Sequence, residues 1–213
     1  MLTVLVTNTK GGCGKTTLAT NLAGAFAASG YRTVLADSDR QRSSLRWLER
    51  RPSARPRISG LDWRKEITPV PGGTQRLVID VPGALGRKQV KAMVGHADIV
   101  VSPVLPSVFD EETTRRFIRD ISRIGSIRKS KRALAIVGNR VRTRTRSAQQ
   151  LDLFLEEFGQ ATVAWIRDSQ LYATAAQEGL SIFDFGTKRA AGFKPDWRPL
   201  LALIDEVTGR VEG

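Results

Sequence analysis

The stretch Leu2-Thr3-Val4-Leu5-Val6-Thr7, followed after one residue by Thr9-Lys10-Gly11-Gly12-Cys13-Gly14-Lys15-Thr16-Thr17, decides the fold. Its first six residues form a short apolar, β-branched run that reads as a strand. From about Thr16 to Ser29 the residues Leu18, Leu22, Ala23 and Phe26 recur at helical spacing, and Gly30 stands where a C-terminal cap belongs. Between strand and helix, Gly11, Gly12 and Gly14 let the backbone curl so that consecutive N–H groups point inward at phosphate oxygens. The helix contributes the positive end of its dipole. Lys15 supplies a cation for β- and γ-phosphates, and the Thr16 hydroxyl is placed to ligate Mg²⁺. Residues Lys10, Gly11, Gly12, Cys13, Gly14, Lys15, Thr16 and Thr17 are therefore the candidate nucleotide-binding loop.

Outward from this loop the chain alternates. Strands are expected at residues 33–37, 77–80, 99–103, 134–139 and 162–166. Helices are expected at about 43–50, 88–94, 111–124, 147–158, 169–178 and 199–207. Residues 51–73 are rich in Pro and Gly, with short strands expected at 58–61 and 67–70. Strands alternating with helices predict an α/β fold: a parallel sheet with helices on both faces. With 213 residues and no composition break, a single domain over 1–213 is expected.

Composition narrows the classes. Hydrophobic residues are 41% and charged residues 26%, which excludes wholesale disorder. No run of about 18 apolar residues exists, so no membrane-spanning helix is expected. The N-terminus lacks the basic region and cleavage site of a signal peptide. The single cysteine, Cys13, permits no internal disulfide, and a cytoplasmic location is expected. The formal charge is +13, which points to a polyanionic partner, nucleic acid before an anionic membrane; a well-solvated basic surface is the bland alternative.

Two further acidic elements accompany the loop. Asp37-Ser38-Asp39-Arg40-Gln41 places carboxylates at i and i+2 at the end of a strand expected to neighbour the loop, where they can face a γ-phosphate and its metal. The same pair also suits helix capping. Leu77-Val78-Ile79-Asp80-Val81-Pro82-Gly83 is an apolar strand ending in an acid, so Asp80 is a candidate Mg²⁺ ligand. Gly83 offers a backbone N–H to the γ-phosphate.

The loop departs from the ordinary G-x-x-x-x-G-K-[ST] pattern: Thr9 replaces the first glycine, and a second lysine, Lys10, precedes Gly11. Lys10-Gly-Gly-x-Gly-Lys-Thr-Thr resembles the deviant phosphate loop of the ParA/MinD ATPases. Asp37-Ser38-Asp39-Arg40-Gln41 resembles that family's D-x-D-x-Q segment, with Arg40 in place of the usual proline. Residues 99–110, ending Pro103-x-x-Pro106-Ser107-x-x-Asp110, resemble its next strand and exit loop. Residues 164–183 resemble its last strand and following helix. The likeness covers roughly 1–185 and is nearest to short single-domain ParA (ParF-like) proteins.

The resemblance implies a P-loop NTPase fold, ATP and Mg²⁺ as cofactors, and an ATP-sandwich homodimer in which Lys10 reaches the partner's phosphates. It implies Lys10, Lys15 and Asp39 as catalytic residues, with Asp39 orienting the attacking water. Thr16, Asp37 and Asp80 would serve the metal. It further implies non-specific binding to nucleoid DNA, partition or positioning of cargo (a plasmid, a chromosome region or a carboxysome), and hydrolysis stimulated by a ParB-like or other small adaptor. A guanine-reading N-K-x-D motif would need an acid where Arg142 stands, which favours ATP. In relatives an asparagine at the position of Asn139 contacts adenine; an asparagine that merely ends a strand is the alternative.

Charge is concentrated in two stretches. Between Arg115 and Arg146 stand twelve Lys/Arg against Asp120 alone, and between Arg40 and Arg57 seven arginines stand against Glu49 alone. Arg116, Arg119 and Arg123 fall on one helical face and are the candidate DNA-binding stripe. Some arginines could instead serve a dimer interface. A MinD-like membrane-positioning ATPase is the alternative class. It needs a basic amphipathic C-terminal helix, but Asp205 and Glu206 oppose an anionic surface. An iron–sulfur relative is excluded, because bridging a cluster needs two cysteines per subunit. Cys13 reads as a small filler before a redox thiol, and His96 as structural.

Overall fold

The computed structural model describes residues 1–83, 85–106, 111–142, 146–157 and 159–212. The chain alternates as follows: β1 (Leu2–Val6), α1 (Lys15–Ala28), β2 (Thr33–Asp37), α2 (Ser43–Glu49), β3 (Ile58–Asp62), β4 (Arg76–Asp80), α3 (Arg87–Gly95), β5 (Ile99–Val104) and α4 (Glu111–Ser122). It continues through α5 (Gly125–Arg128), β6 (Ala133–Val141), α6 (Arg146–Glu156), β7 (Thr162–Arg167), α7 (Gln170–Gln177), a 3-10 turn (Ile182–Asp184), α8 (Thr187–Ala190) and α9 (Lys194–Glu212). The expected strands lie within two residues of these limits, except that 67–70 forms none. The exit loop at 107–110, Arg144 and the expected helix end at 158 lie outside the described residues.

The seven strands form one sheet in the order β3-β2-β4-β1-β5-β6-β7, every adjacent pair parallel. Alternation along each strand splits the core into two layers. Leu2, Val4 and Val6 of β1 join Leu18, Leu22, Phe26, Trp197, Leu200 and Ile204 on the α1/α9 face. Leu5 joins Ile79, Val90, Val94, Phe117, Ile118, Leu151 and Leu155 on the α3/α4/α6 face. Helices therefore cover both faces, as the alternating sequence predicts.

One expectation about neighbours is corrected. The loop carrying Asp37 and Asp39 was expected at the end of a strand beside the phosphate loop, but β4 lies between β1 and β2. Its insertion pairs Val6 with Asp80 and Asp80 with Asp37, so the two acids end adjacent strands at the same level as β1.

The last helix is longer than periodicity suggests. It begins at Lys194, five residues ahead of Pro199, which sits inside it. Proline favours a first turn because it donates no hydrogen bond, but tertiary contacts extend the helix backward. Asp196 takes a bidentate pair from Arg167, and Trp197 donates to the Tyr172 hydroxyl. Leu200, Ile204 and Val207 are buried against the sheet, so the apolar residues a membrane surface would need lie in the core. No helix among the described residues is long and apolar enough to cross a membrane.

Candidate nucleotide site and basic surface

The phosphate loop leaves the carboxyl end of β1, the central strand, and opens α1. Gly14 adopts φ 94°, a left-handed conformation that L side chains rarely take. A Cβ there would also collide with the Asn139 side-chain amide. That amide donates to the Cys13 carbonyl at 2.7 Å, so Asn139 braces the loop from below. Asn8 holds its front: its side-chain Oδ1 accepts from the Lys10 N–H at 2.9 Å, and its Nδ2 donates to the Pro103 carbonyl at 2.7 Å. Asn8 escaped the sequence reading because it precedes the glycines and carries no motif of its own.

Lys15 is buried, and its ammonium donates to the Lys10 carbonyl at 2.8 Å. A Cβ on Gly83 would lie 3.0 Å from Lys15 Nζ and 3.2 Å from Gly11 N. The end of the β4 element and the phosphate loop thus meet around one buried cation. Cys13 is 1% exposed and its thiol donates weakly to the Lys10 carbonyl at 3.3 Å. Burial pushes its pKa up, against the pull of Lys15, which suits a filler and not a reactive thiolate.

Asp80 is fully buried, and neither carboxylate oxygen has a hydrogen-bond partner. Burial pushes its pKa up to about 7, helped by the Asp37 charge and opposed by the nearby Thr16 and Ser44 hydroxyls and by Lys15. A buried, unpartnered carboxylate is costly unless something cationic joins it. With the Thr16 hydroxyl beside it, the donor set fits Mg²⁺, which takes one or two protein oxygens and completes its shell with phosphates and water. Among the described residues no group of three or more His, Cys, Asp or Glu is assembled for a metal.

Asp37 is engaged differently. Its Oδ2 accepts from Ser44 N and Leu45 N, both at 3.1 Å, and its Oδ1 accepts from Asp39 N at 2.9 Å. It caps α2 and anchors the turn that carries Asp39, so both readings of the acidic pair meet in one residue. The half-buried Asp39 side chain accepts from Gln41 N at 2.9 Å.

Beside α1 lies a cavity of about 450 Å³, lined by Thr17, Asn139, Arg140, Arg167, Asp168, Ser169 and Tyr172 among others. It has room for a nucleoside next to the phosphate loop. Arg167 is fixed there by the Asp196 pair, and the Asp196 hydrogen bond raises its pKa further.

The basic stripe lies elsewhere. Arg116, Arg119 and Arg123 are exposed on α4 and just beyond it; Arg116 lies 3.8 Å from Glu112. Arg115 turns aside to pair with Glu157 and stack over Phe154. The structure adds residues that sequence counting did not flag: Arg87, Lys88 and Lys91 on α3 are also exposed. Arg87, Lys91 and Arg123 line a shared cavity of about 280 Å³ between α3 and α4, with Arg87 neutralising Asp120.

Residues 4–182 match the model of the CobQ/CobB/MinD/ParA nucleotide-binding domain. The chain belongs to this family. A curated relative, "Maintenance of carboxysome distribution protein A" of Gloeobacter kilaueensis, is 34% identical over 211 residues, covering 95% of this chain and 93% of its own. Two solved structures share the fold. A plasmid partition protein of Borrelia burgdorferi bound to AMPPNP superposes with a TM-score of 0.71 at 14% identity, covering 94% of this chain and 98% of that one. An ATP complex of Cyanothece McdA also scores 0.71 at 17% identity, covering 98% and 96%. The sequence resemblance to ParA/MinD proteins is thus borne out, as is the parallel-sheet P-loop fold. Membership makes the chain a ParA/MinD-like nucleotide-binding ATPase.

Proposed function

We propose that this chain is a Mg²⁺-dependent ATP hydrolase that acts as a DNA-associated positioning switch. The observation that carries the reading is the buried, unpartnered Asp80 carboxylate ending β4 beside a phosphate loop with two lysines. Asp80 and Thr16 would hold Mg²⁺, with Asp37 adding negative charge from the adjacent strand end. The metal would offset charge on the phosphates during transfer to water. Lys15 and the amides of Gly11 to Thr17 bind the phosphates. Asn139 holds the loop over the cavity that receives adenine. Asp39 orients the attacking water, a role that needs positioning more than basicity.

Lys10 reaches across an ATP-bound homodimer to the partner's phosphates. Dimerisation places two copies of the basic surface on one body, so DNA affinity rises with ATP. Arg116, Arg119 and Arg123, joined by Lys88 and Lys91, track phosphates without reading bases. The name of the carboxysome-distribution relative favours a carboxysome-like assembly as cargo. In this reading the cargo moves over nucleoid DNA, and a small adaptor stimulates hydrolysis and release.

Substituting Lys10→Ala tests the switch. ATP binding should persist while the ATP-dependent dimer, read by light scattering, and hydrolysis both disappear. A mutant that dimerises with ATP like the wild type removes Lys10 from the partner's site.

A further inference from the structure

The nucleotide reading leaves one buried ion pair without a role. Arg51, two residues past α2, pairs with Asp184 in bidentate fashion at 2.9 and 2.7 Å, the side chains 4% and 1% exposed. The pair joins two segments 133 residues apart. Around it the end of α2 is fastened repeatedly to residues 176–184. The Trp47 indole N–H donates to the Leu180 carbonyl at 3.1 Å, Arg50 donates to the Ala176 carbonyl at 3.2 Å, and Arg51 donates to the Gly179 carbonyl at 3.3 Å.

That segment is in turn fastened to the phosphate-loop helix. The Ser181 hydroxyl and N–H both donate to Asp184 Oδ2 at 2.7 Å. Ser181 lies so close to Gly24 of α1 that any Cβ there would collide with its hydroxyl and Cβ, and a Cβ on Gly179 would strike the Arg50–Arg51 backbone. Asn21 of α1 accepts from Ile182 N at 2.9 Å and donates to the Thr17 carbonyl at 2.8 Å. A continuous chain of contacts results: Asp37, α2, Arg51, Asp184, Ser181, α1 and the phosphate loop.

We infer that the Arg51–Asp184 pair is a positioning lock that seats α2, and with it the Asp37–Asp39 loop, at a fixed offset from the phosphate-loop helix. Asp37 holds only the near end of α2. A seven-residue helix spans about 10 Å and is marginal by itself, so its far end needs a tertiary anchor. A buried ion pair adds little stability over an apolar pair of similar size, but its bidentate geometry admits one seating. The lock rests on the reading of Asp39 as the water-positioning group; Arg51 and Asp184 are positioning residues and touch no substrate.

Arg51→Lys keeps the charge and loses the fork; Arg51→Met with Asp184→Asn removes both charges, at the cost of the donors to the Pro56 and Gly179 carbonyls. Each variant is assayed for kcat and KM in Mg-ATP hydrolysis and for amide hydrogen exchange. Small displacements of a catalytic group cost large factors, so kcat should fall about tenfold. KM should stay within about twofold, since the phosphate loop is untouched. Exchange should accelerate across residues 38–48 and stay unchanged across 15–28. Ile204→Val, a core substitution in α9, controls for lost stability and should leave kcat and the 38–48 exchange as they are. Unchanged exchange at 38–48 overturns the lock, as does unchanged kcat in both lock variants when Asp39→Ala does slow turnover. Asp39→Ala separates the two readings: wild-type turnover in that variant overturns the role of Asp39, whereas the exchange data judge the seating of α2 on their own.

Discussion

The two arginine-rich stretches look alike as sequence and are used differently by the fold. Between residues 42 and 57 three arginines find partners in the fold: Arg42 pairs with Glu49 and lies 3.9 Å from Asp62, Arg50 bonds the Ala176 carbonyl, and Arg51 is buried on Asp184, whereas Arg46, Arg55 and Arg57 stay exposed. On α4 the stripe Arg116, Arg119 and Arg123 faces solvent and gains Lys88 and Lys91 from the neighbouring helix, where Arg87 pairs with Asp120. Charge density along a chain therefore does not measure available charge. A guanidinium that has found a buried carboxylate or a row of carbonyls is part of the fold, and only those left exposed can neutralise a polyanion.

Four variants test this contrast, from the largest expected effect to the smallest. Arg51→Ala strands Asp184 without its cation and should cost about 3–5 kcal/mol. That corresponds to a fall in Tm on the order of 10 °C for a chain of this length. The acid limb should change too. Burial would raise the Asp184 carboxyl, but its bonds from Arg51 and Ser181 outweigh this and hold it below its ordinary value. A depressed carboxyl contributes stability above the unfolded value, and that contribution is lost as pH falls through the folded value. Arg51→Ala should therefore flatten the wild-type loss of stability below about pH 4 in a thermal-unfolding series. A Tm within a degree or two of wild type would place Arg51 with the exposed arginines.

Reversing Arg116, Arg119 and Arg123 to Glu together should leave Tm nearly unchanged and weaken binding to random duplex DNA about a hundredfold at low salt. The wild-type dimer, using about three contacts per subunit, should show a slope near −5 of log K against log salt, and the triple variant a much flatter one. Reversing the exposed Arg46, Arg55 and Arg57 is the matched comparison and should cost only a few-fold. Equal losses in the two triples would dissolve the contrast and make DNA binding a matter of net charge.

The smallest effect concerns Arg116 alone. Its contact with Glu112 is 3.8 Å between side chains 71% and 74% exposed. Such pairs contribute about 0–1 kcal/mol, so Arg116→Ala should move Tm by no more than about 4 °C. A larger shift would mean that the stripe has a structural role.

Much of the fold was legible in advance because it is local. The β-branched runs, the glycines of the phosphate loop and the helical spacing of α1 each act over a few residues, and their positions came within two residues of the structure. The loop's own chemistry was legible for the same reason: Lys15, Thr16 and the inward amides need only strand, turn and helix in sequence. Short α5 and α8 carried too few residues for a periodic signal. The early start of α9 depends on Arg167 and Tyr172, which no local pattern connects to Asp196 and Trp197.

The sequence by itself determined the strand–loop–helix that receives phosphates, the parallel α/β architecture and the surplus of positive charge. These follow from local conformational preference and from counting, which need no partner distant in the chain. Tertiary structure decided that β4 enters between β1 and β2 and brings Asp80 beside the loop unpaired. It also decided that Asp37 caps α2, that Arg51 is spent on Asp184, and that α3 completes the basic surface of α4. Each of these depends on which groups meet after the sheet closes, and burial then fixes which charges are neutralised and which stay free.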